Sequence, residues 1–198
     1  MTKTISKPAP ELDIVLFETP ADWAGWLEQH HAASPGLWVR LAKKGSGVQS
    51  TTYAETLDVA LCYGWIDGHK KAYDAASWLQ KFTPRRPKSI WSKVNTEKAK
   101  QLIEQKLMKP AGLKAIEAAQ KDGRWDAAYE SQSKATVPAD LQAALDQNPK
   151  AKAFFESLKS VNRYAILFRV HTAKKAETRA RRIQQFIEML EKGEVIHP

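Results

Sequence analysis

The predicted β-strands are confined to the first 82 positions of this chain. Short apolar or alternating runs predict strands at 14–17, 37–41, 66–73 and 77–82. From about residue 96 onward, apolar residues recur at helical spacing instead. The sequence therefore predicts an α+β fold, with an N-terminal mixed α/β unit followed by an all-helical C-terminal unit.

Capping and stop residues define the predicted helices between and after the strands. Thr19-Pro20 predicts a helix start, Thr52 with Glu55 forms a capping-box pattern, and Gly64 predicts a helix stop. Gly68, inside a predicted strand, indicates either a bulge or a close backbone approach. The later helices are expected at 96–108, 112–121, 124–130, 138–147, 150–158, 160–171 and 174–192.

The predicted domain organisation follows from these elements and from one aperiodic segment. Residues 1–12 are polar, contain two prolines and predict a flexible tail. Residues 13–130 form the α+β domain, 131–137 a small and polar linker, and 138–198 the helical unit.

Composition is typical of a soluble globular protein in a reducing compartment. The 198 residues are 43% hydrophobic and include seven tryptophans, which suffices for a buried core. Cys62 is the only cysteine, so an intramolecular disulfide is excluded. The N-terminus has the pattern of neither a signal peptide nor a membrane span. We therefore expect a cytoplasmic protein that does not insert into membranes.

The positive charge is concentrated in one stretch of the sequence. The net charge is +9, and residues 69–100 hold nine Lys or Arg against two acids. A basic stretch of this kind favours an anionic partner without identifying it. Either an anionic small molecule or a nucleic acid is compatible with this pattern.

Most catalytic and metal-binding classes lack their motifs in this sequence. The five histidines and Cys62 show no metal-ligand spacing, so we expect neither a metal nor another cofactor. Cys62 lies near a predicted helix C-terminus, where the helix dipole disfavours a reactive thiolate. Nucleophile-elbow, phosphate-loop and dinucleotide-binding signatures are also absent. An enzyme is accordingly the less favoured interpretation, and no catalytic residue is assigned.

The segment CYGWIDG, at 62–68, is dense in residues that could line a site. Tyr63 and Trp65 flank the predicted helix stop, and Asp67 follows on the next strand. Packing of a helix-to-strand corner explains the aromatic pair equally well, whereas Asp67 is harder to explain by packing alone.

The segment FTPRRPKSIWSKVN, at 82–95, has the composition of an anion site. Its prolines stiffen the backbone around Arg85 and Arg86. Arginine side chains and the free N–H groups of a following helix both favour phosphate or carboxylate. Trp91 is suited either to stacking on a planar ligand or to anchoring the loop. The remaining candidate ligand-binding residues of this segment are Ser89, Ser92 and Asn95.

These two segments also carry a resemblance to a known family. Together with Tyr53-x-x-x-Leu57-Asp58 and Glu177-Thr178-Arg179-x-x-Arg182-Ile183, they resemble the YdeI/OmpD-associated family, also labelled bacteriocin-protection. The likeness runs from about Phe17 to Gly193. It implies an OmpD-associated helical module at the C-terminus and an N-terminal part similar to small α+β domains of the DUF1801 type. It also implies a role in stress resistance or bacteriocin protection, but no reaction and no catalytic residue.

The sequence supports four hypotheses of function. The first is a non-catalytic binder of an anionic or planar small molecule, in a pocket between the 62–68 corner and the 82–95 loop. The second is nucleic-acid binding through the 69–100 basic stretch. The third is an enzyme that uses Asp67 as a general base and Arg85 or Arg86 to stabilise negative charge. The fourth is a protein partner bound through the C-terminal helices.

Overall fold

The computed structural model describes residues 11–198, which divide into two compact units. The N-terminal unit comprises the described residues up to Ile90 together with Asn95–Asp126. The C-terminal unit comprises Trp91–Val94 and Ala127–Pro198. Most of the tail predicted at 1–12 lies outside the described residues, and the predicted domain boundaries stay predictions.

The order of strands and helices is that of an α+β protein, as the sequence predicts. Helices α1 and α2 alternate with strands in the first 84 residues, and six helices follow. The elements are β1 (Ile14–Leu16), α1 (Pro20–His30), β2 (Leu37–Ala42), α2 (Tyr53–Cys62), β3 (Trp65–Ala72), β4 (Ser77–Pro84), α3 (Lys93–Glu104), α4 (Pro110–Lys121), α5 (Ala139–Asp146), α6 (Pro149–Ser157), α7 (Ser160–His171) and α8 (Ala176–Glu191). Among the described residues, no helix is long and apolar enough to cross a membrane.

The four strands form one mixed sheet in the order β1-β2-β4-β3. β1 pairs parallel with β2, whereas β4 pairs antiparallel with both β2 and β3. The register of the β3–β4 hairpin shifts between Asp67 and Lys70, so the bulge expected at Gly68 is confirmed.

Both predicted helix starts are present with their full capping geometry. Thr19 accepts a hydrogen bond from Asp22 N, and the Asp22 carboxylate accepts one from Thr19 N in return. Thr52 and Glu55 make the same reciprocal pair at the start of α2. The bond to Thr52 N–H holds the pKa of Glu55 below its ordinary value. These two capping boxes provide acceptors for backbone N–H groups at the helix N-termini, which have no partner within the helix.

The N-terminal core lies on one face of the sheet and is rich in aromatic rings. On β2, Leu37, Val39 and Leu41 are buried because alternate side chains of a strand share a face. Trp23 of α1 packs 5.9 Å from the Phe82 ring of β4, measured between ring centroids. Burial of each such side chain contributes about 1.5–3 kcal/mol, so this face positions the hairpin and the segment after it.

The C-terminal unit has its own apolar core. Leu141, Ile166, Val170 and Leu190 are among its most buried members and come from α5, α7 and α8. Asn162 of α7 holds the chain end, since its Oδ1 accepts hydrogen bonds from the backbone N–H groups of residues 196 and 197. These contacts account for the helical character that apolar periodicity predicts for this part of the chain.

The helix predicted at 124–130 is wrong. Gly123 ends α4 with a φ of +74°, and turns follow up to Ala127. Tyr129 N then donates to Trp91 O at 3.0 Å, while Tyr129 O accepts from Lys93 N at 2.9 Å. The backbone of Tyr129 is therefore used in an isolated parallel bridge with Ser92 and is not available for helical bonds.

Helix α4 approaches the end of α2 more closely than any side chain at Gly112 would allow. A Cβ placed there would lie 2.3 Å from Cys62 O and 2.8 Å from Leu61 O. Lys109 N donates to Cys62 O at 3.1 Å at the same contact. The absence of a side chain at Gly112 is thus what lets α4 reach the carbonyl groups that end α2.

We predict opposite effects for alanine at two helical glycines. Gly112→Ala should lower the free energy of unfolding by about 1–3 kcal/mol, because backbone carbonyls cannot yield to the new methyl group. Gly25→Ala, in α1, should raise it by about 0.5–1 kcal/mol, because nothing lies within 4 Å of the new Cβ. Urea unfolding followed by circular dichroism measures both. Equal effects of the two substitutions would contradict the close approach at Gly112.

Candidate functional site

The corner at 62–68 and the arginine loop at 82–95 are joined through one backbone hydrogen bond. Gly64 has a φ of +72°, a conformation that side chains disfavour, and this turns the chain from α2 into β3. Arg85 N donates to Gly64 O at 2.9 Å. The two sequence segments predicted to share a site are therefore neighbours at this end of the β3–β4 hairpin.

The two aromatic rings of the corner are buried, and each donates one hydrogen bond. Tyr63 and Trp65 are 5% and 1% exposed, respectively. Tyr63 Oη donates to Glu28 Oε2 at 2.6 Å, and Trp65 Nε1 donates to His31 O at 3.1 Å. Burial, reinforced by Glu28, raises the pKa of Tyr63 far above its ordinary value. These contacts favour the packing interpretation of the pair, and a ligand-binding role for either ring stays a prediction.

Asp67 occupies a different part of the hairpin from the arginines. Its carboxylate accepts a hydrogen bond from Tyr53 Oη at 2.8 Å. In the sheet register Asp67 lies opposite Phe82, three positions before Arg85, which corresponds to about 10 Å along the strand. Asp67 thus has a hydrogen-bond partner in Tyr53. The described contacts do not bring its carboxylate and the Arg85 or Arg86 guanidinium together across one cleft.

The arginine loop is a tight turn held by several hydrogen bonds. Arg86 N donates to Ser89 Oγ, and Ser89 N donates back to Arg86 O, both at 2.9 Å. Arg85 Nη1 donates to Ile90 O at 3.2 Å. Ser89 therefore acts as a turn-forming residue in addition to its predicted role as a ligand contact. The backbone that carries Arg86 is fixed before any ligand binds.

Arg124, which sequence reasoning missed, is hydrogen-bonded to the backbone of this loop. It is 7% exposed, and its Nη1 donates to Ser89 O at 2.7 Å. Its Nε forms an ion pair with Asp122 at 2.7 Å. A buried guanidinium needs such partners to offset its lost hydration. The position after Gly123 carries no motif, so no sequence signal would have identified Arg124.

The cations at the tip of the loop face solvent. Arg86 and Lys88 are exposed, whereas Arg85 and Ser89 are half-buried. Pro87 lies between the two exposed cations and restricts the backbone there. The structure accordingly presents Arg86 and Lys88 as the accessible positive charges of a rigid turn.

The last three predicted site residues lie around the start of α3. Trp91 is 2% exposed and, with Ser92, belongs to the C-terminal unit. Ser92 directly precedes the first helical residue, and Asn95 lies in the first turn. This burial favours the anchoring interpretation of Trp91 over stacking on a ligand.

A second group of basic and aromatic residues lies on the sheet face opposite the core. Trp38 and Lys81 are direct cross-strand partners, and Lys71 lies opposite Leu79, two residues along β4 from Lys81. All three side chains therefore share one face. Lys71 Nζ is 4.4 Å and Lys81 Nζ 6.0 Å from the Trp38 ring centroid. Sequence reasoning missed this cation–π cluster, because it depends on the strand register.

Cys62 is not activated as a nucleophile. It is buried, and burial together with the nearby Asp58 carboxylate raises its pKa to about 11. In residues 11–198, no group of three or more His, Cys, Asp or Glu side chains is placed to hold a metal ion. The Cys62 thiol is therefore protonated at neutral pH, which disfavours a nucleophilic role.

We predict that Cys62 resists alkylation in the folded protein. At pH 8 roughly one thiol in a thousand would be thiolate, the reactive form, and the sulfur is also shielded. Iodoacetamide followed by mass spectrometry should show slow labelling of the native protein, which accelerates as the pH rises. Labelling in urea should be fast. Rapid labelling of the native protein at pH 7 would contradict this description of the corner.

Comparison with protein families assigns both parts of the chain. Residues 15–115 match a family model described as a domain of unknown function, DUF8412. Residues 134–193 match the family described as bacteriocin-protection, YdeI or OmpD-associated. The predicted likeness of the N-terminal part to DUF1801-type domains stays a prediction. No curated protein and no solved structure gives a match. Residues 134–193, which contain the Glu177-Thr178-Arg179 motif, thus confirm the predicted resemblance for the C-terminal helices, whereas the N-terminal motifs fall within the DUF8412 match. The chain belongs to the DUF8412 family, whose model covers its N-terminal half.

Proposed function

We propose that this chain is a non-catalytic, cytoplasmic binding protein that holds a small anion at the arginine loop. The observation that carries the proposal is the turn at 85–90, which is fixed by Ser89 and by the buried Arg124. Rigid backbone beneath exposed cations lowers the entropy that binding would cost.

The ligand class follows from the donors that the loop presents. Arg86 supplies a planar fork that matches a carboxylate or phosphate, and Lys88 adds a second exposed charge. Arg85 and Ser89 lie in the same turn, and Asn95 completes the predicted set in the N-terminal unit. Because Tyr63, Trp65 and Trp91 are buried, the support is stronger for an anionic ligand than for a planar one at this site.

The match of residues 134–193 to a bacteriocin-protection family supports a role for this binding in stress resistance. A cytoplasmic protein that senses or sequesters a small anion would contribute to stress resistance without catalysing a reaction. The enzyme alternative, with Asp67 and Arg85 or Arg86, gains no support from the separation of these residues along the hairpin. A protein partner on the C-terminal helices stays a prediction.

We predict that Arg86→Ala with Lys88→Ala weakens binding of a small polyanion at least fivefold. Citrate and inorganic phosphate are suitable probes, and isothermal titration calorimetry at low salt is the measurement. Both substituted residues are exposed, so the melting temperature should not change. Lys44→Ala with Lys114→Ala is the matched control, because it removes two positive charges at exposed lysines of the same unit. Equal affinities of the double variant and the parent would overturn the proposal.

A second candidate function, single-stranded nucleic-acid binding, is favoured by the cluster of Trp38, Lys71 and Lys81. A base can stack on an indole while the flanking ammonium groups contact phosphates. Lys71 now covers the ring at 4.4 Å and is exposed, so an incoming base would displace it toward the backbone phosphate. On this second proposal the nucleic acid would contact the outer sheet face and not the whole basic stretch.

We predict that Trp38→Ala weakens binding of a ten-nucleotide oligothymidine about tenfold if this candidate is right, because base stacking contributes about 1–3 kcal/mol per base. Lys71→Ala should weaken it less and reduce its salt dependence. Fluorescence anisotropy at several salt concentrations measures both effects. Lys192→Ala is the charge control, on an exposed lysine of the C-terminal unit. Salt-independent affinity, or no loss in the Trp38 variant, would remove this candidate.

A further inference from the structure

The C-terminal unit contains a cavity of about 250 Å³ that has no part in the proposed anion site. Its walls come from α7, from the segment that precedes α5, and from the start of α8. The lining residues that matter for recognition are Tyr129, Glu130, Tyr164, Phe168, His171 and Arg179.

Three aromatic rings form one side of this cavity. The Tyr129 and Phe168 rings meet edge to face, with centroids 5.0 Å apart and planes at 89°. Tyr164 packs against the same Phe168 ring, with 6.0 Å between centroids. Rings at different angles around a shared space present both faces and edges to a ligand, and aromatic ligands favour offset and edge-to-face contacts.

The orientation of Tyr164 is fixed by its hydroxyl group. Tyr164 Oη donates to Glu130 O at 2.9 Å. Burial raises the pKa of Tyr164, which keeps the phenol protonated and able to donate. The ring is thereby held against the cavity and does not need to reorganise when a ligand enters.

The charged groups at the cavity are already neutralised by partners within the same unit. Arg179 makes two bonds to the Asp140 carboxylate, at 2.6 and 2.9 Å, and a third to Val170 O. The Glu130 carboxylate forms an ion pair with Lys93 at 2.5 Å. Because each charge has a close counter-charge, the cavity favours neither an anion nor a cation.

From these contacts we infer that the C-terminal unit binds an uncharged, planar molecule of one or two fused rings with a hydroxyl or N–H group. The rings supply stacking and edge contacts, and the His171 imidazole and the Thr136 hydroxyl supply hydrogen bonds to the polar group. His171 Nε2 lies 3.4 Å from Ala127 O, a long contact that a ligand bond can replace.

The cavity volume sets the size of this ligand. An apolar cavity of about 150 Å³ accommodates benzene, and pockets for drug-sized ligands begin at about 300 Å³. A cavity of about 250 Å³ lies between these values, which corresponds to a bicyclic ring system. The cavity is lined by residues of the C-terminal unit alone, so ligand binding there does not depend on the proposed anion binding at the arginine loop.

The test compares a planar probe with its saturated counterpart on the full chain. 2-Naphthol should bind saturably in isothermal titration calorimetry, and decahydro-2-naphthol, which has a similar size and hydroxyl group but no π-system, should bind at least tenfold more weakly. Citrate should not compete with 2-naphthol. Absence of saturable binding, or equal affinity for the two probes, would overturn the inference.

Substitutions then locate the binding. Phe168→Leu, which keeps apolar volume but removes the ring, should weaken 2-naphthol binding at least tenfold. Phe154→Leu is the matched control, since Phe154 is a partly buried phenylalanine of the same unit that packs on the apolar core. Equal losses in the two variants would exclude this cavity as the site.

Two further variants distinguish a loss of ligand binding from a loss of folding. Tyr164→Phe keeps the ring but removes the hydroxyl bond that orients it, so it should weaken 2-naphthol binding less than Phe168→Leu does. If Phe168→Leu lowers the melting temperature markedly, Tyr129→Leu replaces it, because the Tyr129 ring packs edge to face on Phe168 in the same cavity wall. Full affinity in a folded variant that lacks either ring would contradict the inference.

Discussion

The contact between α4 and the last carbonyl groups of α2 fixes the geometry of the N-terminal unit around the candidate site. A helix leaves its final C=O groups without partners, and such groups need a donor when they are buried. Lys109 N supplies a donor to Cys62 O, and Gly112 lets the helix backbone come close enough to do so. Two residues later Gly64 reverses the chain and begins β3. One close backbone approach thus sets where α4, the corner and the hairpin meet.

The same corner determines how the arginine loop is held. Gly64 O accepts from Arg85 N, so the loop is bonded to the corner, and Arg124 bonds to it from the end of α4. Burial of the Arg124 guanidinium costs hydration energy, which Asp122 and the Ser89 carbonyl offset. Replacement of such a residue by an apolar one would remove the geometric link along with the charge. We interpret Arg124 as a positioning residue for the loop and not as a ligand contact.

Local signals in the sequence predicted the features that depend only on near neighbours. The caps at Thr19 and Thr52, the stop at Gly64 and the bulge near Gly68 each follow from a few adjacent residues. The helix predicted at 124–130 was wrong because the backbone of Tyr129 forms a bridge with Ser92, which is far away in sequence. Trp38 and Lys71 likewise meet only through the register of three strands, and a shift of one residue would separate them.

The fold divides the basic stretch at 69–100 among three environments, and this division decides between the two proposed classes of anionic ligand. Lys71 and Lys81 lie on the outer sheet face with Trp38, whereas Arg86 and Lys88 lie on the rigid turn. The remaining helical lysines are largely compensated, since Lys93, Lys98 and Lys100 form ion pairs with Glu130, Asp58 and Glu97, respectively. A charge count along the sequence therefore overstates the charge that any one ligand meets. A small anion needs only the two cations of the turn, whereas a polymer needs several charges in a row, and this difference is the physical reason to rank the small anion first.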